Sequence, residues 1–319
     1  MADVFDAITD RDDAGALMPE DAAREVIAAL PEASVVISEF NRVPVSQKQK
    51  RIPAMAAFPY AYMVGGDTGL KQTTFSKWDN RYVNIEEMAV LLPIPDAVID
   101  DARSGGYDLW GTLRPYLVEA IGRKADELVF FGGSDAPDAW PDAIYDACVA
   151  KSKTYALGTA DANEGGVAED VNQLLALVED CGYAPGVLYA DRKFRSRIRG
   201  ARATDGQKLL DVTQNTIEDI PVRYRMRGLW PAGTHMFAVD PEEFVVGIRS
   251  DISLQMFDSG VVSDDDGKVL LNLIQQDSKL MRVTFRLGWT NANTLQHDNV
   301  GDEDAYGASV LITETASPS

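Results

Sequence analysis

DLWGTLRPYLVEAIGRKADELVFFGG, residues 108–133, is the longest stretch of this chain with a single period. Leu109, Leu113, Leu117, Ala120, Ile121, Ala125 and Leu128 recur at helical spacing, so one long helix with an inward stripe is expected. Asp108 is placed to cap its start, and Gly132 with Gly133 to stop it. Glu119, Arg123 and Glu127 stand four residues apart and suit charge pairing along the surface. Pro115 should kink the helix or mark its true first turn.

Outward from this helix the chain changes character. Just before it, EEMAVLLPIPDAVIDDA reads as a buried strand running into a short helix near Pro95. Beyond it, AEDVNQLLALVEDCG reads as a helix with Val171, Leu174, Leu175 and Val178 inward. GVLYA is a strand, and Asp191 is placed to cap the basic helix RKFRSRIRG. After residue 215 strands dominate: VRYRM, HMFAV, FVVGI, SLQMF and VLLNLI. The clearest is MRVTFRL, with Met281, Val283, Phe285 and Leu287 on one face and Arg282, Thr284 and Arg286 on the other. Residues 298–319 carry five acids and no base, and read as a tail with one terminal strand, SVLIT.

Toward the N-terminus, MPEDAAREVIAAL reads as an amphipathic helix after an acidic segment with little to pack. Such an arm has no core of its own and must dock on something. Residues 48–85 form a long extended hairpin or loop punctuated by Phe58, Tyr60, Tyr62, Phe75 and Trp78. These aromatics either tuck under the domain or dock on a neighbouring chain, and docking is the preferred reading.

The chain has 319 residues, enough for one large or two ordinary domains, and a formal net charge of -20. A broad nucleic-acid-gripping face needs clustered Lys and Arg, which this balance disfavours. The one basic cluster, Arg192, Lys193, Arg195, Arg197, Arg199 and Arg202, fits ion pairing with a neighbouring subunit better. The first residues lack the basic start and apolar core of a signal peptide, and MAVLLPIP is too short and proline-rich to span a membrane. Cys148 and Cys181 stand far apart and form no metal-binding or disulfide pattern.

Chemistry is hard to find. MVGGDTGLKQTT (63–74) resembles a phosphate loop, but Leu70 separates Gly69 from Lys71 and Gln72 sits where the magnesium-binding hydroxyl belongs. DDDG (264–267) lacks the alternating acids of a calcium loop and suits a hairpin turn. His235 and His297 are the only histidines, and His235 reads as a satisfied residue at the start of a strand. No catalytic, cofactor or metal constellation is present in these patterns.

The order and spacing of LMPEDAAREVI, VLLPIPDAVIDDA, the 108–133 helix, PGVLYADRKFRSRI and DSKLMRVTFRLGW resemble the major capsid proteins of tailed phages. They are most similar to those of long-tailed phages of actinobacteria. The resemblance implies an α+β, Hong Kong 97-type fold: an N-arm (1–47), an E-loop (48–85), a P domain (86–155 and 251–289), an A domain (156–250 and 290–298) and an acidic C-terminal tail (299–319). It implies a non-enzymatic shell protein that forms pentamers and hexamers around phage double-stranded DNA without binding it specifically. The partners it implies are a portal, a scaffolding protein and a decoration protein, with assembly in the host cytoplasm. The arm before Pro19 is too short for the scaffolding segment some relatives carry, so a separate scaffold or none is expected. The E-loop aromatics, Lys71, Arg192, Arg195 and Arg199 become contact residues, with Gly65, Gly66 and Gly69 allowing tight turns at the loop tip. Some relatives join a Lys and an Asn beside a buried acid. Lys71 or Lys77, Asn272 and Asp277 are the conceivable equivalents, although Asn272 is displaced from the pattern and the acid is Asp rather than Glu. The same fold also serves encapsulin-like compartments. A soluble enzyme using Asp100 and Asp101 is the rival of another class, weakened because adjacent acids on a helix point apart.

Overall fold

The computed structural model describes residues 29, 33–64, 73, 74, 76–105, 109–133, 136–161, 165–202, 206, 207, 215–263, 267–292, 294–296, 298–300 and 302–313. The arm helix before Ala29, the glycines of the hairpin tip, Lys71, Phe75, Asp108, most of the DDDG turn and His297 lie outside them.

Alternation in MRVTFRL builds the first sheet. That stretch lies within β13 (Ser278–Asn291), which pairs antiparallel with β10 (Phe244–Phe257) on one side and β4 (Glu86–Pro95) on the other. A short strand, β1 (Asn41–Pro44), joins the far side of β10 in parallel, giving the order β1-β10-β13-β4. Met281, Val283, Phe285 and Leu287 are buried as the pattern requires. On the opposite face Arg286 meets Glu87, its register partner, at 2.9 Å, and Arg282 bonds Gln255, its partner across β10. Strands expected separately at FVVGI and SLQMF are one, with an irregularity between Arg249 and Ser253. β4 is not the buried strand expected. It is an edge strand whose outward residues, such as Leu91, are exposed, so its apolar run covers only one side.

The second sheet has six strands: β5 (Thr154–Leu157), β14 (Ala308–Thr313), β9 (Thr234–Val239), β6 (Val187–Ala190), β8 (Ile220–Arg223) and β7 (Thr216–Ile217), in that order. Helix α5 (Val167–Glu179) covers one face, packing Val171, Leu174, Leu175 and Val178 on Leu188, Ala190, Met236 and Leu311. The helices before it are α1 (Val35–Glu39), α2 (Asp96–Gly105), α3 (Leu109–Phe130) and α4 (Ile144–Ala150). After β6 comes the short α6 (Arg195–Gly200), and a small β-ribbon, β11 (Val261–Ser263) with β12 (Val269–Asn272), projects between β10 and β13.

The long helix α3 lies where the two sheets meet. Its Val118, Ile121, Ala125, Val129 and Phe130 share one core with Val283, Phe285 and Trp289 of the first sheet and Tyr189, Phe237 and Val310 of the second. Phe130 is the centre, 5.9 Å from Phe40, 5.2 Å from Tyr189 and 5.5 Å from Phe237 between ring centroids. Each such aromatic pair adds about 0.5–1.5 kcal/mol beyond burial. The helix runs through Pro115 and ends where Gly132 takes φ +70°, a conformation costly for any other residue. Ala120, expected inward, is exposed. Glu127 takes Lys124 at 3.2 Å, and Arg123 donates instead to the carbonyl of Arg227.

Three implied boundaries move. Residues 35–44 belong to the core and the first sheet rather than to an arm, because Val35, Val36, Ile37 and Phe40 are buried on α3 and its neighbours. β5 belongs with the second sheet. The tail from 299 contains β14, whose Ala308, Val310 and Leu311 are buried between β5 and β9. The strand expected at SVLIT is therefore present, but as an interior strand of the second sheet rather than part of a free tail.

Candidate inter-subunit contact surface

β2 (Gln49–Ala57) and β3 (Lys77–Asn84) pair antiparallel from Gln49–Asn84 out to Ala57–Lys77, with one irregularity at Met55. A lone two-stranded ribbon is marginal in water, so it needs an anchor. The anchor is its base. Val83 and Ile85 are buried with Val45 and Val245, and Ile85 N–H donates to the Lys48 carbonyl at 2.8 Å. Beneath them Gly247 of β10 faces Gly288 of β13. A Cβ at Gly288 would sit 1.9 Å from the Asn84 carbonyl oxygen, and one at Gly247 2.7 Å from Val83 Cγ1. The paired glycines therefore open a window in the sheet into which the hairpin backbone settles.

Beyond the base the hairpin leaves apolar surface in solvent. Tyr60 is 60% exposed, Met63 95% and Trp78 59%. Tyr82 is exposed on the same ribbon, whereas Phe58 and Tyr62 are half-buried. The expected aromatic set therefore splits. Tyr60 and Trp78 are free to meet a partner, and the other two are partly tucked in. Met63 and Tyr82 were not singled out by the sequence.

The basic cluster is real but shorter than expected. Asp191 accepts from Lys193 N–H at 3.2 Å in a turn, and the helix begins only at Arg195. Buried Phe194 and Ile198 pin α6 and leave Arg192, Arg195 and Arg199 exposed. Arg195 lies over the Tyr224 ring at 5.0 Å, and Arg202 gathers the carbonyls of Arg199, Gly200 and Ala201. His235 is satisfied as expected, stacked on Phe194 and 2.6 Å from Thr313 Oγ1.

Of the cross-link trio, Lys71 lies outside the described residues. Asn272 ends β12, half-buried, and its carbonyl accepts from Gln276. Asp277 is exposed in the single chain, at φ +43° in a turn where its carbonyl accepts from Asp96 N–H. Asp100 is also exposed, and no metal-holding cluster of acids, histidines and cysteines occurs among the described residues. Cys148 and Cys181 are free and buried.

A residue the sequence reading passed over does the most local work. Asp126 is buried on α3 and accepts from Ser34 Oγ at 2.7 Å and from Val35 and Val36 N–H at 3.1 Å each. It closes the N-terminal end of α1, where a negative charge is favoured. Burial pushes its pKa up to about 6, against the pull of these donors and of Arg225. Gly122, one turn earlier, makes the crossing possible, since a Cβ there would stand 3.0 Å from Ala33. The signal was the spacing Val118, Gly122, Asp126 on the buried side of the helix.

The sequence profile of the phage capsid family matches residues 14–292. No curated protein sequence matches the chain. Among solved structures, a chain of Microbacterium phage Oxtober96 is similar at 27% identity, with a TM-score of 0.74 over 88% of this chain and 91% of that one. A chain of Mycobacterium phage Bobi is similar at 26% identity and TM-score 0.71, over 96% and 99%. The capsid of an empty GTA particle shares the fold at 14% identity and TM-score 0.59 over 88% and 90%. With a Hong Kong 97-type fold and a profile match over most of its length, the chain belongs to the phage capsid family, a family of structural proteins rather than enzymes, and its role is that of a major capsid protein of the virion.

Proposed function

We propose that the chain assembles into pentamers and hexamers that close an icosahedral shell around phage double-stranded DNA, with the hairpin at 48–85 acting as the E-loop that reaches over the next subunit. The observation that carries this reading is the set of exposed aromatics, Tyr60, Trp78 and Tyr82, on a ribbon whose base is buried in the domain. Aromatics are favoured at the buried centres of interfaces. Arg192, Arg195 and Arg199 supply charge for a second contact with a neighbour, and the net charge of -20 keeps the enclosed DNA from adhering. The first sheet with α3 corresponds to the P domain and the second sheet to the A domain around the ring axis. A portal, a scaffolding protein and a decoration protein are the partners of such a shell, assembled in the host cytoplasm. Asn272 is displaced from the cross-linking pattern and the acid is Asp rather than Glu, so subunits from shells are expected to run at the monomer mass of 34.8 kDa on denaturing gels.

Expression of the chain alone, followed by negative-stain electron microscopy and light scattering, tests this. Rings or closed shells are expected, and Trp78→Ser should abolish them. A compact monomer that stays monomeric with its scaffold present would defeat the reading.

A further inference from the structure

β4 and the outer hairpin share a property of the backbone. Among the described residues the first sheet ends at β4. Its ladder with β13 runs on to Asp96, whose N–H donates to the Asp277 carbonyl at 2.9 Å. Antiparallel pairing alternates, so the even-numbered residues of β4 turn N–H and C=O to β13 and the odd-numbered ones turn theirs outward. Pro93 and Pro95, which have no N–H, both fall in the outward set and blunt that half of the edge. Glu87, Ala89 and Leu91 leave the other half open. The hairpin repeats the pattern. Its ladder starts where Ile85 N–H meets the Lys48 carbonyl, so Trp78, Asn80 and Tyr82 of β3 and Pro53 of β2 turn outward. The β2 edge of the ribbon is thus interrupted by a proline, and the β3 edge is not. There Asn80 N–H turns to the adjacent Asp79 carboxylate at 2.8 Å.

We infer that the open half of β4 in one chain takes β3 of a second copy as a further, antiparallel strand, with Glu87 opposite Tyr82, Ala89 opposite Asn80 and Leu91 opposite Trp78. This rests on the reading of the hairpin as a loop that reaches the next subunit, and it names where the loop lands. Main-chain hydrogen bonds give such an added strand its affinity, and side chains give it its register. The two edges match in length, since residues 87–91 and 78–82 each present outward groups at alternate positions. Side chains select the register. Leu91 and Trp78 are both exposed in the single chain, and this alignment sets one on the other. It also brings the Tyr82 hydroxyl beside the Glu87 carboxylate, and Asn80 over the small Ala89. A parallel alignment of the same outward residues would instead set Trp78 against Glu87.

The chain's own prolines supply the test. Ala89→Pro removes an outward N–H and leaves the bonds to β13 in place, as Pro93 and Pro95 do. The full-length variant should unfold like the unaltered chain, yet need about tenfold more protein to form rings or shells. In parallel, isotopically light chains carrying Ala89→Cys are mixed with heavy chains carrying Asn80→Cys. They are treated with a short bis-maleimide and mapped by mass spectrometry. A link between residues 80 and 89 that joins light to heavy chains is expected. Should Ala89→Pro fail to fold, this link decides. If the unaltered chain forms particles but Ala89→Pro assembles equally well, or the 80–89 link is missing, the strand pairing is overturned and the shell reading stands. Links from residue 89 to the chain's own amino-terminal segment, or to any other part of a second copy, overturn it in the same way. A chain that stays monomeric with its scaffold present, without the link, overturns both.

Discussion

At its base the β2–β3 hairpin buries Val83 and Ile85 over Gly247 and Gly288, while farther out the same ribbon holds Tyr60, Trp78 and Tyr82 in solvent. The base is specified by backbone proximity within one chain, where no atom can be added. Farther out, Tyr60, Trp78 and Tyr82 keep much of their surface uncovered by the chain that carries them. A contact that its own chain completes resists substitution through stability. One left open resists it only through assembly.

That contrast can be broken most directly at Gly288. Gly288→Val forces a side chain against the Asn84 carbonyl, and denaturant unfolding should show a loss of more than about 3 kcal/mol. Gly247→Ala meets only the ends of Val83, Ile85 and Val45 side chains, and should cost less. If both glycines tolerate a side chain, the base is not the rigid element described.

Asp126 is a second self-completed contact and sharpens the comparison. Asp126→Ala strands three donors and should cost about 2–4 kcal/mol. Its pH dependence has a definite sign. The folded value of about 6 lies above the ordinary 3.8, so the folded state takes up the proton first as pH falls. This group's contribution to stability therefore rises between about pH 6 and pH 4, opposite to a salt-bridged carboxylate. Unfolding midpoints at pH 7 and pH 5 should show that rise, and Asp126→Asn should flatten it.

Exposed pairs give the lower end of the scale. Glu87→Gln breaks the surface pair with Arg286 and should change stability by about 1 kcal/mol or less, reduced further by salt. Smallest of all is Trp78→Ser, expected to shift the unfolding free energy of the isolated chain by less than about 0.5 kcal/mol. The same substitution should remove rings and shells from electron micrographs. A large stability loss at Trp78 would mean that the outer hairpin is held by its own chain after all.

Periodicity made much of this fold legible. The alternation in β13, the stripe of α5 and the long α3 ending in two glycines all follow from local rules that the structure leaves intact. What was hidden depends on register or on elements distant in sequence. Gly247 and Gly288 look like ordinary strand glycines until β10 and β13 are aligned, and only then do they form one window. Asp126 reads as a surface acid because the three donors that bury it arrive from 90 to 92 residues away. β14 was legible as the strand SVLIT, but its place between β5 and β9 depends on partners about 70 and 150 residues earlier. Of the contact candidates, Tyr60 and Trp78 were visible as aromatics out of place in a polar segment, while Tyr82 was masked by its neighbour Val83, which does face the core.

The position of β14 also sets a timetable for synthesis. β9 and β5 both wait for residues 308–313, which leave the ribosome about seventy and a hundred and fifty residues after their partners. Until then two strand edges stand open to any extended peptide, including those of neighbouring nascent chains. A chain cut short before this strand would display those edges permanently. Synthesis of this strand therefore acts as a licence: only a polypeptide read through residue 313 can present finished edges to its siblings.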